Sequence, residues 1–123
     1  MTPHFTKSEL ACKCGCGMLP EKDFMDKVEN LRVRYGMPLK VSSAARCPIY
    51  NATVSKTGAA GPHTTGRAID FAVSHLNSWL LLRLAMAEGF TGIGVNQKGD
   101  GRFIHIDDLP NAEDQPRPTT WSY

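Results

Sequence analysis

Apolar residues recur at helical spacing between Pro20 and Tyr35, where Phe24, Val28, Leu31 and Tyr35 share one face. Gly36 stops this predicted helix, and Pro38 lies just beyond. Upstream, Thr6-Lys-Ser-Glu9 ahead of Leu10 reads as a capping box that opens a very short helix. That helix runs into the turn Cys12-Lys-Cys14-Gly-Cys16-Gly17, which is not helical in pattern. Leu39 to Ser43 is strand-like around Val41, and Pro48 to Val54 has room for one or two helical turns before the breaker Gly58-Ala-Ala-Gly-Pro62. A loop is thus expected to deliver His63.

Ala68 to Val73 alternates as a strand, which puts Asp70 with Ala68 and Ala72, opposite Ile69, Phe71 and Val73. A helix capped by Ser74 or Asn77 follows to about Glu88, with a wide apolar stripe of Leu76, Leu80, Leu84, Trp79, Leu82 and Met86, and Gly89 ends it. Thr91 to Val95 and Phe103 to Asp107 read as a hairpin joined by Asn96-Gln-Lys-Gly-Asp-Gly101. Phe103, His105 and Asp107 share a face of the second strand. After Leu109, Pro110, Pro116 and Pro118 predict an irregular tail until Trp121 and Tyr123, which are expected to pin it to the body. The order of elements indicates one α+β domain over residues 1–123, with a small antiparallel sheet and flanking helices.

Composition adds mainly exclusions. At 123 residues the chain can bury a single core without staples, and a net charge of +2 is too small to argue for nucleic acid or an anionic membrane. No apolar run is longer than Trp79 to Leu82, far below the ~20 residues of a membrane span. Met1-Thr-Pro-His-Phe5 lacks the basic start and apolar stretch of a secretion signal, so cytosolic synthesis is expected, and with it few structural disulfides.

Two residue groups carry candidate chemistry. His63, Asp70 and His105 offer two imidazoles and one carboxylate, the ligand set of an open zinc site with a position left for water or substrate. Spacing alone leaves open whether these are ligands or ordinary hydrogen-bonded side chains. Cys12, Cys14 and Cys16 form a C-x-C-x-C run, with Cys47 as the distant partner. This fits neither a zinc knuckle nor a redox pair, and three readings remain: packed thiols, one disulfide, or a structural metal on all four thiolates, in that order of preference.

Ser43-Ala-Ala-Arg46-Cys-Pro, Tyr50-Asn51, His63-Thr-Thr-Gly66-Arg67-Ala68-Ile-Asp70 and Gly92-Ile-Gly94 ahead of Phe103-Ile-His105-Ile-Asp107 together resemble the zinc D-Ala-D-Ala peptidases that act on peptidoglycan. The stretch Phe5 to Gly17 resembles the start of small single-domain members from phage and bacteria. The resemblance implies the Hedgehog/D-Ala-D-Ala peptidase fold and a zinc ion on His63, Asp70 and His105. It implies hydrolysis of amide bonds in peptidoglycan stem peptides or cross-bridges, as a D,D-carboxypeptidase or endopeptidase. It implies action at the cell wall after release, or as part of a virion.

Arg46 matches an arginine that faces the substrate's carboxylate or carbonyl in that family, and Ser43 begins the same motif. Asp107, two residues past His105, is expected either to orient a ligand imidazole or to act as general base. Relatives place the base three residues before the last zinc histidine. Here that position is Arg102, which cannot accept a proton, and Asp100 in the preceding turn is another candidate. Ala44 and Gly61 also depart from the family's usual Gly and Ser. The alternative reading is a catalytically silent zinc domain that serves assembly or partner binding, and a more remote one is a cysteine-rich interaction module.

Overall fold

The computed structural model covers residues 1–123 and contains four α-helices, a 3-10 turn and five strands. The helices are α1 (Lys7–Leu10), α2 (Lys22–Tyr35), α3 (Pro48–Val54) and α4 (His75–Ala87). The strands are β1 (Lys40–Ser43), β2 (Ala68–Ala72), β3 (Gly92–Asn96), β4 (Phe103–Asp107) and β5 (Thr119–Ser122). They form one sheet in the order β1-β2-β4-β3-β5. All neighbours are antiparallel except β3 and β5, which run parallel.

Alternation along the strands splits this sheet into an apolar and a polar face. Ile69, Phe71, Ile93, Ile104 and Ile106 are buried on the first, in one cluster with Phe24, Val28 and Leu31 of α2 and Leu81 and Ala85 of α4. Phe5 and Leu10 complete that cluster, so the N-terminal segment is part of the core. The capping box at Thr6 and Glu9 forms as the spacing predicts, and Gly36 ends α2 at φ 74°, the left-handed conformation that favours glycine. Arg67 is held by Asp23 of α2 through two bonds of 2.8 and 2.9 Å and by Asp108 through two of 2.8 and 2.7 Å, tying the start of β2 to that helix.

Two expectations are corrected. In α4 the buried positions are Ser78, Leu81 and Ala85; of the expected stripe, Leu80, Leu82 and Leu84 are half-buried against the core, whereas Leu76, Trp79 and Met86 are exposed. A leucine-rich helix offers several apolar stripes of similar width. Packing against α2 selects the one carrying small residues, because small side chains permit the closest approach of two helices. The tail also contains a strand: Thr119 to Ser122 pairs with β3 and makes the sheet mixed. Three prolines in the preceding segment hid the alternation of Thr119, Trp121 and Tyr123.

Candidate active site

The polar face of the sheet carries the site, and register builds it row by row. Ser43 pairs with Asp70, Asp70 with His105, His105 with Gly94, and Gly94 with Trp121, which aligns five strands across one row. In the next row Ala68 pairs with Asp107, Asp107 with Gly92, and Gly92 with Thr119. The two glycines of Gly92-Ile-Gly94 are required by space. A Cβ on Gly92 would overlap the Asp107 carboxylate, and one on Gly94 would lie 2.6 Å from Trp121 Nε1 and 2.8 Å from the Tyr123 hydroxyl.

His63 arrives from outside the sheet. It lies in the 3-10 turn Pro62–Thr65, closed by Gly66 at φ 75°, rather than in an open loop. His63, Asp70 and His105 are all buried, and their ligand atoms lie within 4.8 Å of one another. Asp70 Oδ1 is 3.2 Å from His63 Nε2 and 3.0 Å from His105 Nδ1.

The far side of each imidazole assigns its hydrogen. Nδ1 of His63 lies 2.7 Å from the Ala44 carbonyl, which only accepts, so this nitrogen donates. Nε2 of His105 donates over 2.8 Å to Asp107 Oδ2. In neutral rings the nitrogens that remain, Nε2 of His63 and Nδ1 of His105, present lone pairs toward the Asp70 carboxylate. Two lone pairs and an anionic oxygen converging in a buried space call for a cation, either protons on the rings or a metal ion. Two imidazoles oriented by a carbonyl and a carboxylate, with one carboxylate beside them, form a zinc donor set with its outer partners in place.

Electrostatics follow the same geometry. Burial alone would raise the Asp70 pKa, but hydrogen bonds from His105 and His63 outweigh it and hold this carboxyl well below the usual range. Burial would lower His105, yet the Asp107 and Asp70 carboxylates win and raise it. Without metal, a depressed carboxyl adds stability present above about pH 4 and lost as pH falls through the folded value; a raised imidazole adds stability present below about pH 6.5 and lost as pH rises through the folded value. Metal-stripped protein is therefore expected to melt higher near about pH 5 than near about pH 8. Zinc should weaken or reverse that order, because ligand imidazoles must be deprotonated. Thermal melts with chelator and with zinc check this, and an identical pH dependence in both would count against the site.

Asp107 is fully buried. Its Oδ1 accepts from Arg117 Nε at 2.9 Å and from the Leu109 amide at 3.3 Å, and its Oδ2 accepts from His105 and from Arg117 Nη2 at 2.9 Å. Both oxygens of Asp107 are engaged, it is not among the residues that line the cleft, and it holds the His105 ring from behind. Arg102 and Asp100 lie at the exposed β3–β4 turn, outside the residues that line the cleft, and Arg102 donates to the Gly99 carbonyl.

Arg46 does reach the site. Its Nη2 is 3.7 Å from Asp70 Oδ2, Nε donates to Ser43 Oγ at 2.9 Å, and Nη1 donates to Asn51 Oδ1 at 3.1 Å. Ser43 therefore meets Arg46 and orients it. Asn51 is buried and donates in turn to Thr57 Oγ1 and the Gly58 carbonyl.

A cleft of about 940 Å³ opens over these groups. Its walls include Arg46, Pro62 and the tail residues Glu113, Arg117, Trp121 and Tyr123. Trp121 packs on His105 with ring centroids 5.0 Å apart, and Arg117 lies over the Trp121 ring. Glu113 and Asp114 are the acidic residues of the wall besides Asp70. Sequence reasoning missed this whole tail contribution, for which the alternating aromatics at Trp121 and Tyr123 were the available signal.

The sequence profile of the Peptidase M15 family matches residues 3–107. The chain belongs to the Peptidase M15 family. The match spans every strand of the site except β5, and it runs from the N-terminal segment to Asp107. No curated protein matches the sequence significantly. The fold of an M15 peptidase, a small α+β domain, agrees with the five-stranded sheet and its helices, and family membership makes this a metallopeptidase of the zinc type. No helix is long and apolar enough to cross a membrane.

Proposed function

We propose that the protein is a zinc-dependent peptidase that hydrolyses amide bonds in peptidoglycan stem peptides or cross-bridges, with His63, Asp70 and His105 as the metal ligands. The observation that carries this reading is the buried triad itself: two imidazoles with their outer hydrogens committed to Ala44 and Asp107, and their lone pairs turned toward Asp70 beneath an open cleft. Bound zinc supplies a Lewis acid and acidifies water to near neutrality.

The chain's own groups do the rest. Arg46, locked by Ser43 and Asn51, presents a permanent planar cation beside Asp70, suited to a substrate carboxylate or polarised carbonyl. The Tyr123 phenol lines the same cleft, and desolvation there raises its pKa, so it stays a neutral donor. Glu113 and Asp114 place carboxylates on the cleft wall, where one can serve as the proton acceptor. Action at the cell wall, after release or from a virion, is the setting that fits such a substrate.

Muropeptides incubated with zinc-loaded protein and analysed by mass are expected to lose a terminal residue or to split at one link. A chelator should abolish the product. Arg46→Lys is expected to lower kcat/KM about 10- to 100-fold, mostly through KM, since a point charge replaces a forked donor worth about 1.5–3 kcal/mol. Zinc-loaded protein that forms no product from any wall type would support the catalytically silent reading.

A further inference from the structure

None of the four cysteines is among the residues that line the cleft, and the metallopeptidase reading makes no use of them. All four sulfurs converge within 4.8 Å of one another. Cys12 Sγ is 3.4 Å from Cys14 Sγ, which is 3.6 Å from Cys47 Sγ. A tetrahedral zinc with Zn–S bonds of about 2.3 Å separates its sulfurs by about 3.8 Å, so the spacing suits one metal ion.

We propose that Cys12, Cys14, Cys16 and Cys47 hold a second metal ion, a structural zinc on four thiolates that fastens the N-terminal segment to the loop carrying Arg46. Convergence requires a folded turn, because a C-x-C-x-C run bends its sulfurs to one side only where the backbone reverses. Gly15 and Gly17 supply that reversal at φ 86° and 88°, and the Cys12 amide bonds to the Met18 carbonyl across it. Backbone amides point at the sulfurs, Cys47 N–H at Cys12 Sγ over 3.3 Å and Tyr50 N–H at Cys47 Sγ over 3.4 Å. Such donors offset thiolate charge, as ligand carboxylates and thiolates commonly require.

The competing readings of the sequence fit less well. Thiols packed for their apolar character would be buried, yet Cys14 and Cys16 are exposed and Cys47 is half-buried. One disulfide would use two sulfurs and leave the other two gathered for no reason. A metal uses all four, and it sits where fastening matters. Cys47 follows Arg46 directly, and the neighbouring Ala45 amide bonds to the Leu10 carbonyl at 3.2 Å.

The proposal stands independently of the peptidase reading, because the two metal sites share no ligand. Protein purified under reducing conditions without added metal is expected to carry two zinc equivalents, falling to one in His63→Ala and to one in a Cys14→Ser/Cys16→Ser double variant. Cobalt exchange gives a second readout that does not need activity. Intense thiolate-to-cobalt charge-transfer absorption should persist in His63→Ala and vanish in the double cysteine variant, whose substituted positions are exposed. Wild-type protein with four freely reactive thiols, with no thiolate–cobalt absorption, or with an intact mass reduced by a disulfide's two hydrogens would overturn it.

Discussion

Replacing His63 by alanine is expected to remove one zinc equivalent per chain and to lower kcat/KM on a muropeptide by at least ~10³-fold, a loss of about 4 kcal/mol of transition-state stabilisation. The reason is the convergence described above. Nε2 of His63 is the one donor of the triad that comes from outside the sheet, and the Ala44 carbonyl holds its ring in the orientation that exposes that lone pair. Without it, Asp70 and His105 leave two protein ligands, one short of the three that catalytic zinc sites usually have. Metal analysis and steady-state kinetics on the same preparation check this. Unchanged zinc content would remove His63 from the ligand set, and unchanged turnover with lost zinc would remove the metal from the reaction.

Asp107→Ala is expected to be the most destabilising single change in the site, by about 3–5 kcal/mol, because it leaves the Arg117 guanidinium without its buried counter-charge. For a domain of this size that corresponds to a fall in melting temperature of about 10–20 °C. The same variant frees Nε2 of His105 to swap its hydrogen to Nδ1, and zinc affinity should drop about 10- to 100-fold. Asp107→Asn keeps the shape and one acceptor but not the negative charge, so it should recover only part of the melting temperature and little of the zinc affinity. Calorimetry and competitive metal titration separate the two effects. An Asp107→Ala protein with wild-type affinity for zinc would show that His105 needs no support from behind, and loss of turnover at full zinc occupancy would return Asp107 to the reaction itself.

Much of the site was legible because its signals are local. The period of two puts Asp70 with Ala68 and Ala72, opposite Ile69 and Phe71, and puts His105 and Asp107 with Phe103, opposite Ile104 and Ile106, and that is where the strands carry them. Spacing likewise foretold α2, its glycine stop and the capping box. Arg46 was legible only through family resemblance. Its partner Asn51 lies five residues on, and nothing in the local pattern ties the two until α3 folds back beside the loop. Half of the α4 stripe was misassigned because a run of leucines satisfies several faces at once, and the packed neighbours α2 and β4 choose among them.

The amino-acid sequence by itself determined which side chains can bind a metal and to which face of a strand each belongs, because both follow from residue type and a fixed backbone period. Tertiary structure decided what those side chains do. The ring nitrogen that each histidine offers is set by Ala44 and Asp107, groups 19 and two positions away in the chain. Both oxygens of Asp107 are engaged because Arg117, ten residues later, returns on the tail to donate to each of them. Hydrogen-bond satisfaction in a buried space is a property of everything that packs there, and no window of sequence contains all of its members.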